Sequence, residues 1–112
     1  MLLERNQASA NSKDSDGRTP LSWAAESGKE HIVAMLLHTA DVNLKDLYGR
    51  TPLLIATEKG HNTVVRTLLD SGMADIDSED NYGRTPPLLA TLNGDEDMVK
   101  VLTRQEQSAL GK

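Results

Sequence analysis

Apolar and polar residues follow one another in a pattern that returns three times along the chain. In the second copy, Val64, Val65, Leu68 and Leu69 recur at the spacing that places side chains on one face of a helix. A shorter apolar run at residues 53–56 comes before them, and a stretch rich in Asp, Asn, Gly and Ser without helical period follows them. The pattern predicts a unit of two short helices and a loop.

The same residues mark the first helix in each copy. Gly-Arg-Thr-Pro stands at 17–20, 49–52 and 83–86, with starts 32 and 34 residues apart. Thr is a favourable N-cap, and the following Pro suits the first helical position, where its missing N–H would have no partner anyway. A glycine placed to end this helix in a left-handed turn follows in each copy. These glycines are Gly28, Gly60 and Gly94. Because one such unit cannot bury its apolar face alone, the period predicts a stack of units with a continuous core.

These motifs resemble the ankyrin repeat, which runs from Thr-Pro-Leu-His through Gly-His to Leu-Leu and a closing Ala-Asp-Val-Asn. The closing sequence is intact at residues 40–43. The resemblance implies an all-α solenoid of stacked helix-turn-helix units joined by hairpin-like loops, in a single domain. Its predicted parts are the end of a preceding repeat (1–13), repeat 1 (14–45), repeat 2 (46–79), an incomplete repeat 3 (80–104) and a polar tail (105–112).

Two residues lead to further expectations about the helices. Pro87 replaces the consensus Leu of the family, and a proline disfavours the helical region for the residue before it, which is Pro86. We therefore expect the helix at Pro86 to start late or fray. Trp23 occupies an apolar helix position held by Ile55 and Leu89 in the other copies. We expect Trp23 to lie in the core.

The first residues of the chain align with the end of repeat 2. At a constant offset of 66, Leu2 and Leu3 fall on Leu68 and Leu69. We therefore expect a fragment of a longer array that opens inside the last helical turn of a preceding repeat. The alternative is a native start at Met1, in which Leu2 and Leu3 form a minimal cap.

Composition narrows the class of protein. The 112 residues are 38% hydrophobic and contain no Cys, which excludes disulfides and thiolate chemistry. No segment approaches the roughly 20 apolar residues of a membrane span and no signal peptide is evident, so we expect no membrane partner and an intracellular location, cytoplasmic or nuclear, with the cytoplasm favoured. Between Asp70 and Asp97 there are eight acidic residues and one basic residue, Arg84. Nucleic acid is therefore not an expected partner, and the acidic third could instead face a basic protein.

Few residues suggest catalysis. His61 stands at the Gly-His position, where the resemblance implies a structural role. His31 and His38 lack the further ligands that a zinc site needs. The carboxylates at 95–97 open a helix, where they complement its dipole. We predict no enzyme activity, catalytic residue, cofactor or metal.

The resemblance implies protein binding through the loop tips and the exposed side of the first helix. Arg18, Arg50 and Arg84 recur once per unit, which predicts a row of guanidinium groups spaced on the order of 10 Å apart. Tyr48 and Tyr82 stand two residues before the latter pair. Since Tyr and Arg are frequent interface hot spots and Arg binds carboxylates with two hydrogen bonds, we expect an acidic segment of a partner protein along this row. On this hypothesis, folding does not require the Arg. The alternative is that the Arg is solvated or paired with a nearby loop Asp.

The predicted protein-binding residues lie at the tips and just before each helix-ending glycine. They are Asp16, Arg18, Glu26, Ser27, Lys45, Leu47, Tyr48, Arg50, Glu58, Lys59, Asn81, Tyr82, Arg84, Leu92 and Asn93.

The leading hypothesis is a non-catalytic protein-protein interaction module from a longer ankyrin array in a multidomain protein. We expect a monomer, with self-association through an uncapped N-terminal face as the alternative. Residues 16–25 look like the ankyrin arrays of filamentous fungi, which are often appended to NTPase-type sensor proteins. Two other hypotheses are a stand-alone inhibitor that occludes an enzyme surface, as compact ankyrin proteins resembling cyclin-dependent kinase inhibitors do, and a targeting segment of an enzyme with its catalytic domain elsewhere.

Overall fold

Helices follow one another in three pairs joined by loops. A computed structural model describes residues 10–110, with side chains through residue 104. The helices are α1 (Pro20–Ser27) and α2 (Glu30–Leu36), α3 (Pro52–Lys59) and α4 (Asn62–Asp70), and α5 (Pro86–Leu92) and α6 (Glu96–Leu110). Within the described residues there is no strand, so the predicted all-α fold is confirmed.

The first helices of the pairs form one layer of the molecule. Helix α3 packs between α1 and α5, while α2 and α4 pack against each other in a second layer. A continuous apolar core runs between the layers, from Leu21 and Val33 through Leu53 and Val65 to Leu102. These five side chains are at most 1% exposed, as the helical spacing in the sequence predicts.

The predicted caps start each first helix. In α1, the Thr19 hydroxyl accepts a hydrogen bond from the N–H of Ser22 at 3.2 Å, and the Ser22 hydroxyl accepts one from the N–H of Thr19 at 2.8 Å. This reciprocal capping box uses a serine where the family has His. Thr51 and Thr85 cap α3 and α5 in the same way, without the reciprocal bond.

Helix α5 begins at Pro86, the same position at which α1 and α3 begin. The expectation that Pro87 delays this start is therefore wrong. The first N–H groups of a helix have no intrahelical acceptor, so a second proline at Pro87 removes no helical hydrogen bond. Its fixed φ also suits a helical residue.

Trp23 is 54% exposed, so the expectation that it lies in the core is wrong. Its counterparts Ile55 and Leu89 are at most 2% exposed, and half-exposed Ile32 differs in the same way from its buried counterpart Val64. These positions become buried when a preceding helix pair lies against them. Within residues 10–110, no helix pair precedes α1.

Gly28 ends α1 in the left-handed region, with φ of 72°. A Cβ at this position would lie 2.9 Å from Nδ1 of His61, which is too close. From this place the Nε2 of His61 bonds the carbonyl oxygen of Glu26 at 2.9 Å. Gly28 therefore serves both the turn and the packing of the next unit, and His61 has the structural role expected of it.

Polar side chains also reach from one unit to the backbone of the next. The Nζ of Lys13 donates to the carbonyl of Lys45 at 3.1 Å, and the Nζ of Lys45 donates to that of Glu79 at 3.0 Å. The side-chain oxygen of Asn43 accepts from the N–H of Asp75 at 2.9 Å. Contacts of one kind thus recur at the repeat period.

The predicted repeat boundaries stay a prediction. The end of a preceding repeat, assigned to 1–13, falls mostly outside the described residues. Residues 105–110 of the predicted polar tail continue α6.

A matched pair of substitutions tests the role of Gly28. Gly28→Ala and Gly60→Ala each place a Cβ at nearly the same positive φ, 72° and 76°, which costs about 1–2 kcal/mol. Nothing lies within 4 Å of a Cβ at Gly60, whereas His61 obstructs one at Gly28. We expect urea unfolding to show a further loss of about 1 kcal/mol for Gly28→Ala alone. A His61→Ala background should remove this difference, and equal losses in the wild-type background would contradict it.

Candidate functional site

One aspartate closes each loop tip. The Oδ1 of Asp46 accepts the backbone N–H groups of Tyr48 and Arg50, both at 2.9 Å, and its Oδ2 accepts the Nε of Arg50 at 2.9 Å. Asp14 and Asp80 make the same three bonds in their own loops. The carboxylate thus fixes both the turn and the direction of the arginine side chain.

The three tips are bonded edge to edge. The N–H of Leu47 donates to the carbonyl of Asp16, and the N–H of Asn81 donates to that of Tyr48, both at 3.0 Å. Gly49 permits this approach, because a Cβ there would collide with Asn81. We call residues 14–18, 46–50 and 80–84 together the tip row. It is a continuous surface whose backbone is fixed on all three units.

The arginines of the tip row are bonded within the chain. Besides its aspartate, Arg18 donates from Nη1 to Glu26 at 3.1 Å, and Arg50 donates from Nη1 to Glu58 at 3.3 Å. Arg84 bonds Asp80 through Nε at 2.7 Å. The alternative that the Arg pairs with a loop Asp is therefore confirmed, while the expectation that folding does not require the Arg stays a prediction.

Other predicted site residues also bond within the stack. Asp16 accepts from Nη2 of Arg18 at 3.2 Å within its own loop. The side chain of Asn81 donates to the carbonyl of Leu47 at 2.9 Å, and the Nδ2 of Asn93 donates to the carbonyl of Thr57 at 2.8 Å. Like Lys45, Asn81 and Asn93 connect one unit of the stack to another. Ser27 and Lys59 lie exposed at the ends of their helices.

Large apolar and aromatic side chains project from the surface. Tyr82 is 76% exposed, Leu47 65%, Leu92 63% and Tyr48 54%. Each tyrosine ring centroid lies 5.2 Å from the guanidinium carbon of the arginine two residues on. At this distance a cation–π interaction holds each tyrosine ring against its arginine, and the arginine side chain is itself bonded to the aspartate of its loop. The tips therefore present ordered aromatic surface to solvent.

Two of the tip carboxyls have lowered pKa values. Burial acts to raise the pKa of Asp80, but hydrogen bonds from the backbone and side chain of Arg84 and from the N–H of Tyr82 outweigh it, so the net shift is downward. For Asp14, the backbone N–H of Arg18 is the largest cause of its lowered pKa. Both groups are ionised at neutral pH.

Candidate metal ligands do not cluster in the part of the chain that the structure describes. It contains no group of three or more His, Cys, Asp or Glu side chains placed to hold a metal ion. Asp95, at the start of α6, accepts the N–H of Met98 at 3.1 Å and the Nδ2 of Asn62 at 2.8 Å. The bond from Asn62 is the largest cause of the lowered pKa of Asp95.

Among the described helices, none has the length and apolar character needed to span a membrane.

Stacked helix pairs with edge-bonded loops define a repeat protein of the solenoid class. A family model described as ankyrin repeats, in three copies, matches residues 40–110, more than half of the chain, and an ankyrin-repeat model matches residues 16–47. The chain belongs to the ankyrin-repeat family. No curated protein matches it. Ankyrin repeats in general mediate protein-protein interaction, and their domains are typically non-catalytic.

Three residues that organise the tips were not among the predicted site residues. Asp14, Asp46 and Asp80 each stand three residues before a Gly-Arg, so the recurring motif is Asp-x-x-Gly-Arg-Thr-Pro. At this spacing an Asp carboxylate can accept nearby backbone N–H groups, as in an Asx turn. The constant spacing of these aspartates from Gly-Arg was the feature of the sequence that could have identified them.

Asp80→Asn tests the carboxylate of the tip. We expect the free energy of unfolding at pH 7 to fall by about 1–3 kcal/mol, because the charged acceptor of three hydrogen bonds is lost. The folded pKa of Asp80 lies below its unfolded value of about 3.9, so its contribution is complete above that pH and lost as the pH falls through the folded pKa. In urea titrations, the difference between wild type and variant should therefore shrink below about pH 4. The exposed neighbour provides the control, Glu79→Gln, with an expected change within about 0.5 kcal/mol. An Asp80→Asn difference that is constant from pH 7 to pH 3 would contradict this role.

Proposed function

We propose that this chain is a non-catalytic protein-binding segment of a longer ankyrin array within a multidomain intracellular protein. The observation that carries the binding proposal is the tip row. Its backbone is bonded across all three units, and it presents Leu47, Tyr48 and Tyr82 with more than half of each side chain exposed. Ordered aromatic surface binds at low entropic cost, because little freedom remains to be lost on association.

The face of α1 and α2 that carries Trp23 supports the proposal of a longer array. Trp23, Ile32 and Met35 are 54%, 48% and 71% exposed there. In the next unit, Ile55 and Val64 at the positions of Trp23 and Ile32 are fully buried by the preceding helices. A further helix pair on this face would cover Trp23 and Ile32 as α1 and α2 cover Ile55 and Val64.

The tip row is tested with a library of protein fragments from the source organism. A fragment that binds the chain is purified and titrated against Tyr48→Ser/Tyr82→Ser. We expect the Kd to rise tenfold or more, since tyrosines at interface centres often contribute at least 1.4 kcal/mol. Met35→Ser, which removes a 71% exposed apolar side chain from α2, is the control and should leave the Kd unchanged. Equal binding by the double variant would contradict the proposed surface.

The longer array is tested through Trp23, the sole tryptophan of the chain. Consensus ankyrin residues are added before Met1 to complete the preceding repeat, with a scrambled addition as the control. We expect a blue shift of the Trp emission and a rise of about 1 M in the urea midpoint, because apolar surface is covered. An unchanged spectrum and midpoint would instead support a native start. Spectra of the original chain at several protein concentrations separate this burial from self-association.

A further inference from the structure

The third unit departs from the other two beside its arginine. Arg18 and Arg50 each have a glutamate eight residues on, Glu26 and Glu58, whose carboxylate accepts from Nη1 of the arginine. In the third unit, the eighth residue after Arg84 is Leu92. A leucine therefore replaces the second carboxylate of the pattern.

This substitution leaves part of Arg84 without a bond. Its Nε is held by Asp80 at 2.7 Å, so the guanidinium plane has a fixed position. No side-chain or backbone oxygen among the described residues accepts from its Nη1 or Nη2. The side chain of Arg84 is 30% exposed, compared with 14% for Arg50. The open nitrogens thus lie within reach of an approaching group.

The open N–H donors of Arg84 favour a carboxylate as that group. The arginine of each of the first two units contacts two or more carboxylates. Among the described residues, Arg84 contacts one, that of Asp80. One added carboxylate would therefore reproduce the arrangement around Arg50, which the fold already accommodates. Hydrogen bonds between a guanidinium group and a carboxylate are among the stronger ones in proteins.

Exposed aromatic and apolar side chains accompany this arginine in the third unit. The ring of Tyr82 lies 5.2 Å from the guanidinium carbon and is 76% exposed, and Leu92 is 63% exposed. We propose that Arg84, Tyr82 and Leu92 form a binding site for a partner protein's segment that carries an Asp or Glu beside an apolar side chain. The partner's carboxylate takes the place that Glu58 takes beside Arg50, and its apolar side chain covers Tyr82 and Leu92. This site rests on the proposed protein-binding function and assigns it to the third unit.

The test supplies the missing carboxylate within the chain. Random 12-residue peptides displayed on phage are selected on the wild-type protein, and the enriched peptides are synthesised and titrated against Leu92→Glu and Leu92→Gln. We expect an Asp or Glu beside an apolar residue in the enriched peptides. Both variants lose the apolar contact of Leu92, so the comparison between them isolates the carboxylate: Leu92→Glu should bind these peptides at least tenfold more weakly than Leu92→Gln, because its carboxylate occupies Arg84. Replacing the peptide's acid by its amide should cost tenfold with wild type and little with Leu92→Glu.

The outcomes separate this site from the proposed function. Leu92→Glu should keep or raise the urea midpoint, since it restores a pairing present in the other two units, and this excludes unfolding as the cause of lost binding. Failure to enrich acidic peptides, or equal binding by the Glu and Gln variants, would overturn the site. Peptides insensitive to Leu92→Glu but lost on Tyr48→Ser would leave the proposed tip row standing. Peptides insensitive to both changes would count against the site and the tip row together.

Discussion

The interaction on which the binding surface depends is the bonding of one aspartate in each loop. In the second unit, a single buried carboxylate, that of Asp46, holds the turn through two backbone N–H groups and fixes Arg50 through a third bond. With the turn fixed, the N–H of Leu47 meets the preceding tip, and the arginine supports the ring of Tyr48. Local hydrogen bonding thus orders a surface that extends over all three units.

Much of the fold could be predicted because its determinants are local. The helix starts at Thr19 and Thr51 and the left-handed turns at Gly28 and Gly60 depend on residues a few positions apart. The exposure of Trp23 could not be predicted in this way. Its position has a core environment only where another unit lies against it, and a comparison of copies takes all of them as equivalent.

The binding surface was only partly predictable for a related reason. The resemblance to the ankyrin repeat placed Tyr48 and Tyr82 at exposed loop tips, and both are exposed. Whether Arg50 or Asn81 is available to a partner depends on bonds to neighbouring residues, and those follow from the three-dimensional register of the loops. The difference between Arg84 and the other arginines was nevertheless present in the sequence, eight residues away at Leu92.

The polar bonds between units have a consequence for how such an array changes over generations. Backbone carbonyl oxygens of the adjoining unit are the hydrogen-bond partners of the Lys13, Lys45 and His61 side chains, and every residue type has such a carbonyl. Replacing the side chain at the receiving position therefore leaves the acceptor in place. A unit can be duplicated, deleted or exchanged by recombination and still meet backbone acceptors in its neighbour. The exposed residues of the tips are therefore free to diverge while these hydrogen bonds between units are kept.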